Sequence, residues 1–225
     1  GGVPFYIAVL ASSAAERAGT SVHTATPMDL SHSRTAILDQ RLMSLGTPVR
    51  ELLAATAIAG PPVRLYELAA LTDREVGDVV EILQPAVEAG VLVAESNGQF
   101  QYDFTHDLIR DHISASVPPA KAALLHVAAA AAISNDAGSQ SLLRRWRHLT
   151  RAAGLVSPQE LLDAAQSTFA AFERVGAVDE ATDICLSTLD ITGDALELAS
   201  ELLVRLAVLL ARAGRAEAAR AMLNR

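Results

Sequence analysis

Residues 99–111 hold the spacing in this chain that comes nearest to a site. Gln99, Phe100, Gln101, Tyr102, Asp103 and Phe104 alternate polar and aromatic side chains, and Thr105, His106 and Asp107 then hand over to helical spacing through Leu108, Ile109, Arg110 and Asp111. Alternation with period two is the signature of a half-buried strand. Thr105 is a suitable N-cap, which puts His106 in the first turn of the helix behind it. Backbone N–H groups are unpaired at a helix start, and the helix dipole favours an anion there. Two roles for His106 stand side by side: local packing or hydrogen bonding where strand meets helix, and an imidazole donor to a phosphate. Asp103, Asp107 and Asp111 form an i, i+4 stripe across the same junction. Such a stripe can hold a cation, but a solvated face is expected, with Asp107 and Asp111 favoured near the positive end of the dipole.

Other patterns that carry chemistry are missing. The chain has no Gly-x-x-x-x-Gly-Lys-Ser/Thr phosphate loop, no Gly-x-Ser-x-Gly and no His-Glu-x-x-His. Its six histidines, His23, His32, His106, His112, His126 and His148, show no ligand spacing, and His106 and His112 are expected on different faces of one helix. The lone cysteine, Cys185, excludes an internal disulfide and a cysteine zinc site, and its apolar helical setting predicts a buried thiol. No catalytic residue, no metal site and no enzymatic activity of the chain itself is expected.

The elements that position the junction are mostly helical. Hydrophobic content is 51% and aromatic content 4%, a balance dominated by alanine and leucine that favours helices packed through small side chains. Residues 4–15, with Pro4 in the first turn, predict a short helix, and residues 18–33 a loop. A helix is expected from about Ser33 to Leu45. A second, capped by Thr47 with Pro48 at its first position, runs to Ala59 and is ended by Gly60, Pro61 and Pro62. A short helix from Leu65 to Leu71 precedes a longer one, capped by Thr72 or Asp73 and running toward Gly90, in which Pro85 predicts a kink or break near Gln84. Val91 to Glu95 and Phe100 to Phe104 are strands joined by the hairpin signal Asn97-Gly98. Three helices, a two-stranded wing and a further helix make residues 34–117 a winged-helix domain.

Beyond Pro118 only helices are expected. One runs from Pro118-Pro119 to Ile133, and a break follows over Asn135 to Ser139. A helix from Gln140 to Ala153 carries Trp146 and the basic cluster Arg144, Arg145, Arg147, His148 and Arg151. A capping box, Ser157-Pro158-Gln159-Glu160, opens a helix to Val175, and further helices start at Asp179, Asp194 and Arg215. Gly176-Ala177-Val178-Asp179-Glu180-Ala181 returns as Gly214-Arg215-Ala216-Glu217-Ala218-Ala219, an offset of 38 residues (214 minus 176). That is close to the ~34-residue period of tetratricopeptide (TPR) arrays, so residues 118–225 read as a TPR-like helical repeat region. The fold class is mainly α: a winged helix with a small β-hairpin, then helical repeats.

Charge narrows the function. Net charge is −8, and a globally acidic chain is a poor non-specific nucleic-acid binder. The helix that would enter a DNA groove bears Asp73, Glu75, Asp78, Glu81 and Glu88 against Arg74 alone, so phosphate would repel it. The winged helix is expected to contact protein rather than DNA. The basic cluster reads as a solvated helix face with Trp146 turned inward. No apolar run reaches the ~18 residues of a membrane span, and no signal-like amino terminus is present. A cytoplasmic setting without membrane contact is expected. The chain begins and ends inside helical patterns, so it reads as a piece of a longer protein.

Three segments, in order, resemble one family. Gly2-Val3-Pro4 opening a helix is similar to the glycine-x-proline element of STAND-type signalling ATPases, and Thr105-His106-Asp107 after a wing strand to their Met-His-Asp element. Phe104 through Arg110, Val117-Pro118-Pro119 and Leu124-Leu125-His126 resemble the large ATP-binding LuxR-type bacterial transcription regulators, as do the segments around His148-Leu149 and Gly176-Ala177. Val3 stands where the family often has asparagine, and Thr105 where the wider class has methionine. The resemblance implies an upstream P-loop NTPase domain, with residues 1–33 the remnant of its helical lid and a linker. It also implies that Pro4 lies near the adenine and His106 near the β-phosphate of bound ADP, in a closed resting state. The cofactor, ATP or ADP, would then belong to the parent protein and not to this piece alone. The repeats would bind an effector or partner protein, and DNA would be met only by a separate carboxy-terminal domain. The rival readings are a helical protein-interaction scaffold with no link to nucleotide, and a regulatory module of a cyclase- or kinase-linked ATPase.

Overall fold

The computed structural model describes residues 38–96, 98–133, 138–193 and 196–224, and they form a mainly helical fold with one small antiparallel sheet. The expected helix at residues 4–15, the loop at 18–33 and Pro4 lie outside the described residues, as does most of the expected break at 135–139.

Helix α1 (38–44) leads through a turn at Leu45 into α2 (Gly46–Ala59), whose apolar face drives Leu52, Leu53 and Ala55 into the core. Gly60, at φ 79°, and the two prolines after it stop α2 as the sequence predicts. Next come β1 (Val63–Arg64), α3 (Leu65–Thr72), α4 (Val76–Glu88), β2 (Leu92–Ser96), β3 (Phe100–Phe104) and α5 (Asp107–Ser116). The sheet order is β1-β3-β2, all antiparallel, with Val63 opposite Tyr102, Leu92 opposite Phe104 and Ser96 opposite Phe100. β2 and β3 form the expected hairpin, with Gly98 at φ 81° between Ser96 and Phe100; Asn97 lies outside the described residues. The two-residue β1 is an addition to the expected hairpin, since a strand that short carries no alternation to read.

Several expected caps are corrected. The N-cap of α2 is Leu45, not Thr47, whose hydroxyl accepts from Arg50 Nη2 at 3.2 Å. The N-cap of α4 is Glu75, in extended backbone. Thr72 turns its hydroxyl back to Leu68 O at 2.7 Å, and Asp73 ends α3 in the left-handed region. Pro85 does not break α4, which continues to Glu88. It stands in the last turn, where one missing N–H costs little helix. Gly90 then closes α4 as expected: Gly90 N–H donates to Val87 O, and Val91 N–H to Ala86 O, each at 2.9 Å. That pair of bonds is the Schellman arrangement. One hydrophobic cluster, with Leu52, Leu68, Val79, Leu83, Leu92 and Ile109 at its centre, unites these elements.

Helices α6 (Pro119–Ala132), α7 (Ser139–Arg151), α8 (Pro158–Arg174), α9 (Val178–Thr192), α10 (Leu196–Arg212) and α11 (Ala216–Leu223) follow. Pro119 and Pro158 sit at first helical positions, and Ser157 Oγ caps α8 by accepting Glu160 N–H at 3.1 Å. A second cluster holds Trp146, Leu149, Leu161, Phe169, Ile184, Leu202 and Leu206. Cys185 is buried within it, as predicted. The two turns singled out as repeated are built alike. Gly176 (φ 71°) donates to Glu173 O and Ala177 to Phe172 O; Gly214 (φ 76°) donates to Ala211 O and Arg215 to Leu210 O. Ala181 and Ala219, equivalent in the two copies, are both buried.

Candidate functional site

The strand–helix junction is held from three sides. Tyr102 and Phe104 are buried and fix β3 against the first core, while Ile109 anchors the first turn of α5. Thr105 ties the junction to the end of α4: its N–H donates to Val91 O at 3.1 Å and its hydroxyl to Gly90 O at 2.9 Å. The hydroxyl is therefore committed elsewhere, and Thr105 is not the N-cap. His106 is, one residue later than the sequence predicts. Its backbone is extended (φ −149°, ψ 136°), its side chain makes no capping bond, and its carbonyl accepts Ile109 N–H at 3.0 Å. The ring is half-buried at the head of α5 rather than enclosed in the core.

The carboxylate stripe across this junction is solvated and internally compensated. Arg110 Nη1 lies 2.9 Å from Asp107 Oδ1, and Arg110 Nη2 2.9 Å from Asp111 Oδ1. The hydrogen bond to Asp111 holds the guanidinium above its ordinary pKa. Asp103 Oδ1 accepts the N–H of Phe104 at 2.7 Å. Among the described residues no group of three or more His, Cys, Asp or Glu side chains could hold a metal ion. His112 Nε2, on another face of α5, meets Asp39 Oδ1 of α1 at 2.7 Å.

The outer face of α4 is acidic, as the sequence predicts. Asp73, Glu75, Asp78, Glu81 and Glu88 are exposed, and Arg74 reaches toward Glu51 at 3.9 Å. Val76 and Val80 are exposed beside them.

The basic cluster of α7 does not form one solvated face. Trp146 is turned inward, its Nε1–H donating to Thr188 Oγ1 at 3.0 Å. Arg147 and Arg151 are exposed. Arg144 pairs with Glu67 of α3 at 3.3 Å, and His148 is buried at 4% exposure. His148 and His126 of α6 meet through their Nδ1 atoms at 2.9 Å. Burial pushes both imidazoles down to about 4; Arg151 adds to this for His126, and His126, Arg144 and Arg151 add to it for His148. Glu67 is also buried, between Arg144 and, at 3.6 Å, Arg64. The sequence had no signal for this pair of histidines. They lie on separate helices, and each occupies a position that the helical pattern alone would fill with an apolar residue.

No family model, no curated protein and no solved structure matches the chain. Among the described residues no helix is long and apolar enough to cross a membrane.

Proposed function

We propose that this chain is the regulatory, signal-sensing part of an ATP-binding transcription regulator of STAND type. In this reading the region of α1–α5 is a winged helix that holds a nucleotide-dependent off state, and the helices after it are TPR-like repeats that take an effector or partner protein. The observation that carries it is the half-buried imidazole of His106 at the N-cap of α5, directly behind a sheet strand. A donor there, beside unpaired helix-start N–H groups, suits a diphosphate. Supporting it are the order helix, strand, helix, helix, strand, strand, helix and the sheet order β1-β3-β2. The two matched turns at Gly176 and Gly214 support the repeat reading. The acidic outer face of α4 supports contact with protein rather than with DNA.

The mechanism is a population shift. ADP bound by an upstream NTPase domain would be gripped by Pro4 and His106, and exchange for ATP would release the winged helix. The test is nucleotide content. In a purified protein that includes the upstream domain, His106→Ala is expected to lower retained ADP at least tenfold and to raise basal output. Unchanged ADP content overturns the assignment, and so does a salt-sensitive duplex-DNA shift by this chain at physiological salt.

A further inference from the structure

Helix α7 faces both cores, and its two faces differ. Trp146 and Leu149 turn toward α8, in the apolar cluster they share with Leu161 and Ala165. The opposite face reaches the first core through Arg144 to Glu67 of α3 and His148 to His126 of α6, with Ala59, the last residue of α2, lining the same seam beside Ala129 and Ala132; Ala130 of α6 joins the apolar cluster of Trp146 and Leu149. His148 and Glu67 line one small cavity of about 10 Å³, at the lower limit for a single water.

A neutral imidazole has one N–H and one lone pair. The Nδ1–Nδ1 contact therefore holds one N–H between the rings, one imidazole donating and the other accepting. This pairing works with both rings neutral or with the donor alone charged. It fails once both are charged, because two N–H groups would then point at each other across 2.9 Å. The surrounding charges oppose protonation too. Arg144 and Arg151 of α7 act on the rings, α2 offers only the Ala59 carbonyl, and the Glu67 carboxylate of α3 is engaged by Arg144 and Arg64.

We propose that His126 and His148 form an acid-released latch: protonation of both rings parts α7 from α6 and the end of α2, drawing Ala130 of α6 away from the second cluster while the rest of each cluster stays packed. This device needs no nucleotide and stands apart from the role given to His106. The direction of its pH dependence follows from burial, which holds both imidazoles below the ordinary 6.5, at about 4. The parted form therefore takes up protons first. The latch is fully closed above ~6.5 and weakens as pH falls through about 4, the parted fraction rising about tenfold per pH unit for each ring that titrates.

The test follows the radius of gyration of the full chain by X-ray scattering from pH 7 to 4, alongside the emission of Trp146, the single tryptophan. The expected result is an expansion while the emission stays that of a buried indole. His126→Asn keeps a side chain that can donate or accept but cannot be protonated, so the expansion should shift to lower pH and lose steepness. If that variant fails to fold, Arg151→Gln, at the exposed end of α7, should move the onset in the same direction. No expansion, an emission shift that coincides with it, or a wild-type pH profile in the variants overturns the latch.

Discussion

The first core closes through partners far apart in the chain, and the second through neighbours. In the first, β1 pairs with β3 across the whole of α3, α4 and β2, and α2 packs against α3, α4, α5 and α6. Arg41 of α1 donates to the carbonyl of Ala89 at the end of α4. In the second, α7 packs on α8, α8 on α9, α9 on α10 and α10 on α11, with α8 also touching α10 and with side-chain bonds from Trp146 of α7 to Thr188 of α9 and from Arg215 to Asp179 of α9. Closure through distant partners predicts a first core that forms as a whole, and closure through neighbours predicts a second core that keeps its packing when its last helix pair is lost. The seam between α6 and α7 is where one kind of construction meets the other.

Cavities in the two cores should break this comparison most sharply if it is wrong. Phe169 is fully buried in the second core, with the Arg205 guanidinium over its ring at 5.1 Å. Phe169→Ala is expected to destabilise the second core by about 3–5 kcal/mol, and Leu83→Ala, at a fully buried position of the first, to cost that core about 2–5 kcal/mol. Denaturant unfolding followed by Trp146 emission and by far-ultraviolet circular dichroism separates the two. Phe169→Ala should move the Trp146 transition, and Leu83→Ala should move only the part of the dichroism change that the indole does not follow. A single transition shifted equally by both variants would show one cooperative unit.

What the sequence made legible follows the same division. Short local signals came through: Gly98 within the hairpin, Gly60-Pro61-Pro62 for the end of α2, Ser157-Pro158-Gln159-Glu160 for the start of α8, and the equivalent turns at Gly176 and Gly214. Caps failed where a distant or competing partner claimed the hydroxyl. Thr105 looked like a cap because its local neighbours permit it, but the carbonyl of Gly90 holds it, and that carbonyl is brought there by the sheet. Thr47 and Thr72 were lost to Arg50 and to the backbone of α3 in the same way. The His126–His148 pair was illegible because two imidazoles on different helices become partners only after packing. At the junction, the alternation through Tyr102 and Phe104 and the position of His106 at a helix start were legible to within one residue.

The repeated turns offer a smaller and finer test. Gly176 and Gly214 both hold positive φ, and a Cβ added at either meets nothing within 4 Å. The cost of alanine there is conformational, about 1–2 kcal/mol at each site. If the two turns are one structure used twice, Gly176→Ala and Gly214→Ala should lower stability by equal amounts in thermal melts. Unequal costs would mean that the second core is a stack of unrelated helix pairs with a chance likeness at its turns.

The smallest expected effect concerns the contact that joins those turns. Arg215 Nη1 lies 2.6 Å from Asp179 Oδ1, linking the first turn of α9 to the start of α11. The hydrogen bond from Arg215 holds the Asp179 carboxyl below its ordinary range. A depressed carboxyl contributes stability above its ordinary pKa and loses it as pH falls through the folded value. Both groups stand in solvent, however, and water and salt screen such a pair almost fully. Asp179→Asn should leave the Trp146 unfolding midpoint unchanged at neutral pH, in low salt and in about 1 M salt, where the Debye length falls to ~3 Å. A clear loss confined to low salt would mean that the stacking of α9 and α11 depends on charge. The burial of Ala181 and Ala219 between their neighbours would then be the lesser part of what holds the second core together.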